Sequence, residues 1–234
     1  MDVSGKKALV FGGTSGIGLA ATRQLAERGT EVVAISRDPS KAGELPAGVT
    51  TRGCDVLDRD AMAALFAECA PFDILVSAAT GGTRAIGPFL NMDMVGFQNS
   101  FDKLWGYANV VRFGTEHLRD DGAIVLVSGS PARRSDGAMI AVGATGAAVE
   151  AFARSVALEI APRRLNVVSP GIIDTPMNPL EGEARDRHYA AATKDRLIAR
   201  AGTADEVAHA ILFTIENDFV TGTTVDVDGG WLLA

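Results

Sequence analysis

The sequence predicts an α/β chain built on a doubly wound parallel sheet with helices on both faces. Three observations carry this expectation. Near the start, the apolar run Ala8-Leu9-Val10-Phe11 passes through the turn Gly12-Gly13-Thr14-Ser15-Gly16-Ile17-Gly18 into a helical pattern continued by Leu19, Ala20, Leu25 and Ala26. Strand-length apolar runs and helical stretches then alternate to the end of the chain without a linker, the pattern that crossover connections between parallel strands produce. The run from Phe72 to Ser77 is apolar enough to be buried on both faces, as a central parallel strand must be.

Taken in order, Lys7 to Phe11 reads as the first strand. Gly16 to Arg28 is its helix, ended by Gly29 at a helix-stop position. Glu31 to Ser36 is the second strand and Val49 to Cys54 the third. Asp58 to Glu68 is a helix with Asp58 as its N-cap candidate. Phe72 to Ser77 is the fourth strand. Asn91 to Arg119 holds a long helical region with a break near Asn99-Ser100, and Ala123 to Ser128 is the fifth strand. Met139 to Ile160 is a long helix of small residues that stops before Pro162. Leu165 to Ser169, Thr203 to Glu216 and Thr223 to Val227 complete the pattern as strand, helix and strand. Ligands in such sheets bind beyond the carboxyl ends of the strands.

Composition narrows the function classes. The 234 residues are 47% hydrophobic and 22% charged, which suits one sizeable core, expected here as a single domain over residues 1–234. A formal net charge of −7 with no basic block argues against nucleic acid or an anionic membrane as partner. Arg133-Arg134 and Arg163-Arg164 are isolated pairs, expected as solvated or loop charges. Cys54 and Cys69 have no metal-ligand spacing, no other cluster has one, and reduced thiols in a cytoplasmic protein are expected. The polar start Met1-Asp2-Val3-Ser4 is not that of a signal peptide, and no run is expected to span a membrane.

The glycine turn has a direct physical reading. Glycines allow the backbone to approach a ligand closely, and the helix that follows presents unpaired N–H groups and a positive dipole end suited to a pyrophosphate. The spacing Gly12-x3-Gly16-x-Gly18 differs from the Gly-x-Gly-x-x-Gly of most dinucleotide folds. At the end of the second strand, Ser36-Arg37 stands where an acid would accept the ribose hydroxyls of NAD. Arg37 can instead bind a 2′-phosphate, with Ser36 and Thr14 or Ser15 as neutral donors, so NADP(H) is expected over NAD(H).

With these residues in view, the chain resembles a short-chain dehydrogenase/reductase over essentially its whole length. Five motifs carry the resemblance. They are the glycine turn, although Phe11 stands at the family's usual threonine; Cys54-Asp55-Val56 after the third strand; Asp73-Ile74-Leu75-Val76-Ser77-Ala78-Ala79, similar to Asp-x-Leu-Val-Asn-Asn-Ala; Asn166 to Thr175, similar to Asn-x-x-x-Pro-Gly-x-x-x-Thr; and Thr221 to Gly230, similar to the family's carboxy-terminal strand and turn. The resemblance implies a Rossmann-type seven-stranded parallel sheet in the order 3-2-1-4-5-6-7. It implies a cofactor site at Gly12, Thr14, Ser15, Gly16, Ile17, Gly18, Ser36, Arg37, Asp55, Val56, Ala78, Ala79, Pro170, Gly171, Ile173 and Thr175, with Asp55 on the adenine ring. A substrate-covering segment around residues 176–200, carrying Met177, Leu180, His188, Tyr189 and Leu197, is also implied. So is a homo-oligomer, dimer or tetramer, formed through the fourth and fifth helices and the carboxy-terminal strand, with Trp231-Leu232-Leu233 suited to a subunit contact.

The catalytic residues depart from that family. Aligned through Ala147 to Phe152, the positions of its catalytic Tyr and Lys fall on Val142 and Gly146, that of its Ser on Gly129, and that of its Asn on Lys103, just before Leu104-Trp105-Gly106. No tyrosine lies between Met139 and Ile160. Hydride transfer to a carbonyl still needs a group that neutralises the alkoxide, and valine and glycine cannot do so. Three readings stand. In one, the site is rebuilt around Lys103, its pKa lowered by burial, with Ser128 or Ser130 polarising the carbonyl and Tyr107 or Tyr189 as further donors. In another, a cationic imine or conjugated acceptor needs no protein acid, or the cavity and bound cofactor catalyse a rearrangement or cyclisation. In the third, the chain is a dinucleotide-binding pseudoenzyme that acts as sensor or partner subunit.

Overall fold

The computed structural model describes residues 1–80, 82–135 and 137–233. The elements run β1 (Lys7–Phe11), α1 (Gly16–Glu27), β2 (Glu31–Ser36), β3 (Thr50–Gly53), α2 (Arg59–Cys69), β4 (Phe72–Ser77), α3 (Met94–Asn99), α4 (Asp102–Gly114) and β5 (Leu118–Val127). They continue with α5 (Ile140–Ile160), β6 (Arg164–Pro170), β7 (Ile173–Asp174), α6 (Gly182–Thr193), β8 (Gly202–Thr203), α7 (Ala204–Glu216) and β9 (Thr224–Val227). Seven strands form one parallel sheet in the order β3-β2-β1-β4-β5-β6-β9, which is the expected order with β9 in seventh place.

The central strands divide their side chains between two apolar layers. Leu9 and Phe11 of β1, Leu75 of β4 and Ile124 of β5 face one core with Phe66, Val110 and Val149 from α2, α4 and α5. Ala8, Val10, Ile74, Val76 and Val125 face the other with Leu25 of α1 and Ile211 of α7. This alternation is the period-two consequence of the pleat. Asp73 ties β1 to β4 at their starts: its carboxylate accepts the Lys7 amide at 2.9 Å and the Lys6 ammonium at 3.1 Å.

Differences from the sequence expectation have local causes. β5 starts at Leu118, ahead of Ala123, because Phe72 pairs with Leu118 across a register shift before Ile74 meets Ala123. The helical region after β4 breaks where expected, at Ser100, whose hydroxyl donates to Gly96 O and accepts the Ala85 amide, both at 2.9 Å. The Ser100 carbonyl accepts from Thr145 Oγ1. The pair β7 and β8 was not visible in the sequence. It joins Ile173 to Gly202 and Asp174 to Thr203, so it clamps together the two ends of the 175–201 excursion that carries α6.

Three further expectations are corrected. Arg164 is a buried side chain, not a solvated charge: its guanidinium donates to the carbonyls of Thr214, Ile215, Asn217 and Val220 at the end of α7. A helix end leaves such carbonyls without partners inside the helix, and a cation there also suits the dipole. Arg133 holds Glu150 and Asp226. Trp231 is buried within its own chain, with its indole donating to Arg134 O and Arg196 stacked on its ring, so of Trp231, Leu232 and Leu233 only Leu233 is strongly exposed. The helix α5 is long and apolar enough by length and composition to cross a membrane, contrary to expectation, yet it packs as a layer on the sheet and buries Glu150 within it.

Candidate active site

The β1–α1 turn is held in a geometry only glycine permits. Gly12 has φ +77°, and a Cβ there would lie 2.9 Å from Ala79 N. A Cβ on Gly18 would lie 2.1 Å from Gly12 O. The turn therefore folds back on its own helix and approaches the end of β4 backbone to backbone. Ser15 stands at the N-cap of α1 without capping it, and no acid occupies the first turn. The positive helix end is thus left for an external anion.

This turn forms one wall of a cavity of about 360 Å³. Gly12, Thr14, Ser15, Gly16, Ile17 and Gly18 line it, as do Ser36, Arg37, Val56, Ala78, Ala79 and Thr175. Ser36 Oγ is buried with no hydrogen-bond partner among the described residues, and Arg37 beside it is exposed and holds no ion pair among them. An orphaned hydroxyl, an unpaired guanidinium and an uncapped helix end are the groups a phosphate-bearing ligand would satisfy. Asp55 is placed differently from its expected partners: it does not line the cavity, and its Oδ1 accepts the Leu57 amide at 3.0 Å. Cys54 and Thr80, which were not among the expected cofactor contacts, do line it.

A second cavity, about 170 Å³, shares Ile17, Ala78, Thr80, Thr175 and Met177 with the first. Pro170, Gly171 and Ile173 belong to this second space. Lys103 enters it from α4, and its Nζ donates to Ser128 O at 3.0 Å with the Tyr107 ring centroid 5.6 Å away. Burial pulls the Lys103 pKa down to about 7, and repulsion from Arg84 adds to the effect. Val142 and Gly129 also line the cavity, so three of the four positions aligned with the family's catalytic residues converge here. Gly146 does not. A Cβ on it would meet Ala132 Cβ at 3.0 Å, and one on Gly143 would meet Pro131 O at 2.6 Å, because the turn Ser130–Ala132 lies directly on this face of α5.

The other expected donors are engaged elsewhere. Ser128 Oγ donates to the buried Glu150 carboxylate at 3.0 Å, and Ser130 Oγ donates to Pro170 O at 3.2 Å. Ser130 does not line the cavity. Tyr107 does, but its hydroxyl donates to Val127 O at 3.0 Å and burial raises its pKa above the ordinary phenol range. Tyr189 is buried in α6 away from the cavity, with no partner for its hydroxyl among the described residues, and His188 is exposed. Arg84 and Thr145 are cavity residues that the sequence motifs missed. Arg84 had one signal: it is the only basic residue between Phe72 and Lys103. No group of His, Cys, Asp and Glu among the described residues could hold a metal.

Comparison with known proteins places this architecture. A sequence profile of the family described as "Enoyl-(Acyl carrier protein) reductase" matches residues 12–232. The chain belongs to the short-chain dehydrogenase/reductase family. It is 30% identical to L-xylulose reductase of Mesocricetus auratus, with 100% of this chain and 99% of that one covered. It is also 30% identical to the "Cyclic-di-GMP-binding biofilm dispersal mediator protein" of Escherichia coli, over 97% and 98% of the two chains. A solved structure described as a small-chain dehydrogenase in complex with NADPH superposes with a TM-score of 0.85 at 31% identity, covering 98% of this chain and 99% of that one.

Proposed function

We propose that this short-chain dehydrogenase/reductase is an NADP(H)-dependent oxidoreductase that reduces a carbonyl or imine in a small or medium organic substrate, with Lys103 in place of the family's catalytic tyrosine. The reading that Gly129, Val142 and Gly146 replace the usual Ser, Tyr and Lys belongs to this proposal. Its support is that Val142 and Gly129 line the same cavity as Lys103 and that neither tyrosine of the chain lies on α5. The chain binds NADP(H) in the larger cavity. The free N-terminus of α1, with Thr14 and Ser15, holds the pyrophosphate, and Ser36 and Arg37 hold the 2′-phosphate; the similarity to the NADPH-bound structure supports this. When bound, the cofactor supplies hydride to the neighbouring cavity.

Lys103 is the observation that carries the reading. Its Nζ has three donor protons, and Ser128 O takes one. The others face a space lined by Val142, Met139 and Met177, where a carbonyl oxygen becoming an alkoxide needs a cation and a proton. With its pKa near 7, Lys103 is part ammonium and part amine at neutral pH, so it can donate and be recharged by water. Reduction needs the ammonium. We expect kcat/KM for reduction to fall as pH rises above about 7. We also expect Lys103→Met to abolish turnover while NADPH affinity measured by calorimetry stays nearly unchanged. Full turnover in that variant removes Lys103 from the mechanism.

A second reading, a dinucleotide-binding protein without turnover, draws on the absence of a tyrosine from α5 and on the similarity to a relative whose name describes binding. NADPH binding by the wild type, with no carbonyl or imine reduced, would favour it. In either reading the protein is a cytoplasmic homo-oligomer whose copies meet through α4 and α5.

A further inference from the structure

The smaller cavity holds two cations and no anion. Arg84 reaches it from the segment after β4, and Lys103 reaches it from α4. None of the described residues lining it is an Asp or Glu. The Arg84 guanidinium lies against the Met177 sulfur, and Lys103 has the Ser128 carbonyl and the Tyr107 ring but no carboxylate among the described residues. Elsewhere in this acidic chain Arg133, Arg185 and Arg200 each hold a carboxylate. The two cavity cations also oppose each other, since Arg84 is a charge that lowers the Lys103 pKa; burial disfavours the charge on Lys103 above all, while Arg84 remains exposed. Leaving two like charges together in a partly dehydrated space is costly without a counter-charge. The side chains provide none.

We propose that the substrate supplies it: the cavity takes a small oxo acid, with its carboxylate on Arg84 and its ketone oxygen on Lys103. This rests on the reductase reading above and narrows its substrate class. It selects against a cationic imine, which both side chains would repel. Arg84 keeps its charge at all working pH values and offers a planar fork to a carboxylate, whereas Lys103 can lose a proton. The two cations therefore divide the work, one as clamp and one as acid. Reduction converts the ketone C=O to C–H and O–H: hydride from NADPH adds to carbon, the π pair moves to oxygen, and Lys103 protonates that oxygen. The products are a hydroxy acid and NADP⁺. The cavity volume of about 170 Å³ suits a compact acid.

Calorimetric titration of the full-length protein, both apo and saturated with NADP⁺, with 2-oxobutyrate, 4-oxopentanoate and their methyl esters tests this. The acid of at least one pair is expected to bind more than tenfold tighter than its ester. Arg84→Gln is expected to weaken that acid by roughly tenfold to a hundredfold and to leave the ester unchanged, with Arg84→Lys recovering part of the loss. Equal binding of acid and ester overturns the proposal, as does binding of neither acid, or an Arg84→Gln protein that keeps the preference. Failure of NADPH to bind would instead overturn the reductase reading, and the contrast between acid and ester would still be read on the apoprotein.

Discussion

At the scale of one residue, Arg37 is the group expected to set the preference for NADP(H). It stands exposed at the end of β2, without an ion pair among the described residues, next to the orphaned Ser36 hydroxyl. A charge-assisted pair with a 2′-phosphate gives NADPH a partner that NADH lacks. Arg37→Ala is expected to weaken NADPH by about tenfold to a hundredfold and NADH by less than threefold, read by parallel calorimetric titrations. Equal loss for both would sink the phosphate clamp. The places of Arg37 and the glycines at the cavity were legible because they follow from neighbours in sequence: a strand end, a turn and a helix start. Arg84 and Thr145 were not. Their meaning comes from Lys103, which lies in another element, and no local pattern announces a contact across the fold. The serines show the same limit from the other side. Their positions beside Gly129 were readable, but the partners of their hydroxyls, Glu150 and Pro170 O, come from distant segments.

At the scale of elements, periodicity and caps were readable wherever the signal is local. Asp58, the expected N-cap of α2, accepts the Ala61 amide; the capping box of Thr203 with Glu206 at the start of α7 was not singled out. The end of α7 at Glu216 was read, but not what caps it, because the cap comes from Arg164 at the start of β6. That one guanidinium donates to the carbonyls of the buried residues Thr214 and Ile215, and burial lowers its own pKa. Hydrogen bonds to a charged group contribute about 1.5–3 kcal/mol each, and they do not add when shared by one side chain. Arg164→Met keeps the apolar stem and removes the donors. It is expected to destabilise the fold by on the order of 3 kcal/mol, a fall of roughly 6–12 °C in melting temperature for a domain of this size. Urea unfolding followed by circular dichroism checks this. A change within about 0.5 kcal/mol, as at an ordinary surface position, would mean that water replaces the cap without cost.

At the scale of the whole molecule, α5 is more apolar than one chain requires. Its inner face, with Val149, Ala153 and Ile160, is buried against the sheet and α4. Its outer face leaves Ala147, Ala151 and Leu158 exposed, and Trp105 of α4 is exposed as well. The small residues permit close approach of a second helix, and Leu158 and Trp105 supply apolar area worth roughly 25 cal/mol per Å² removed from water. A stable pair of copies needs about 800 Å² from each partner, an area that two helices of this length side by side can provide. The carboxy-terminal tryptophan cannot contribute, since Trp231 is already packed within its own chain. We therefore expect the wild type to sediment at a multiple of the chain mass at micromolar concentration. Ala151→Arg should shift it to the monomer without changing its circular dichroism, because the substituted side chain starts on the exposed face and leaves the inner core untouched. A monomeric wild type would contradict association altogether, and an unchanged mass for the variant would move the contact away from α5.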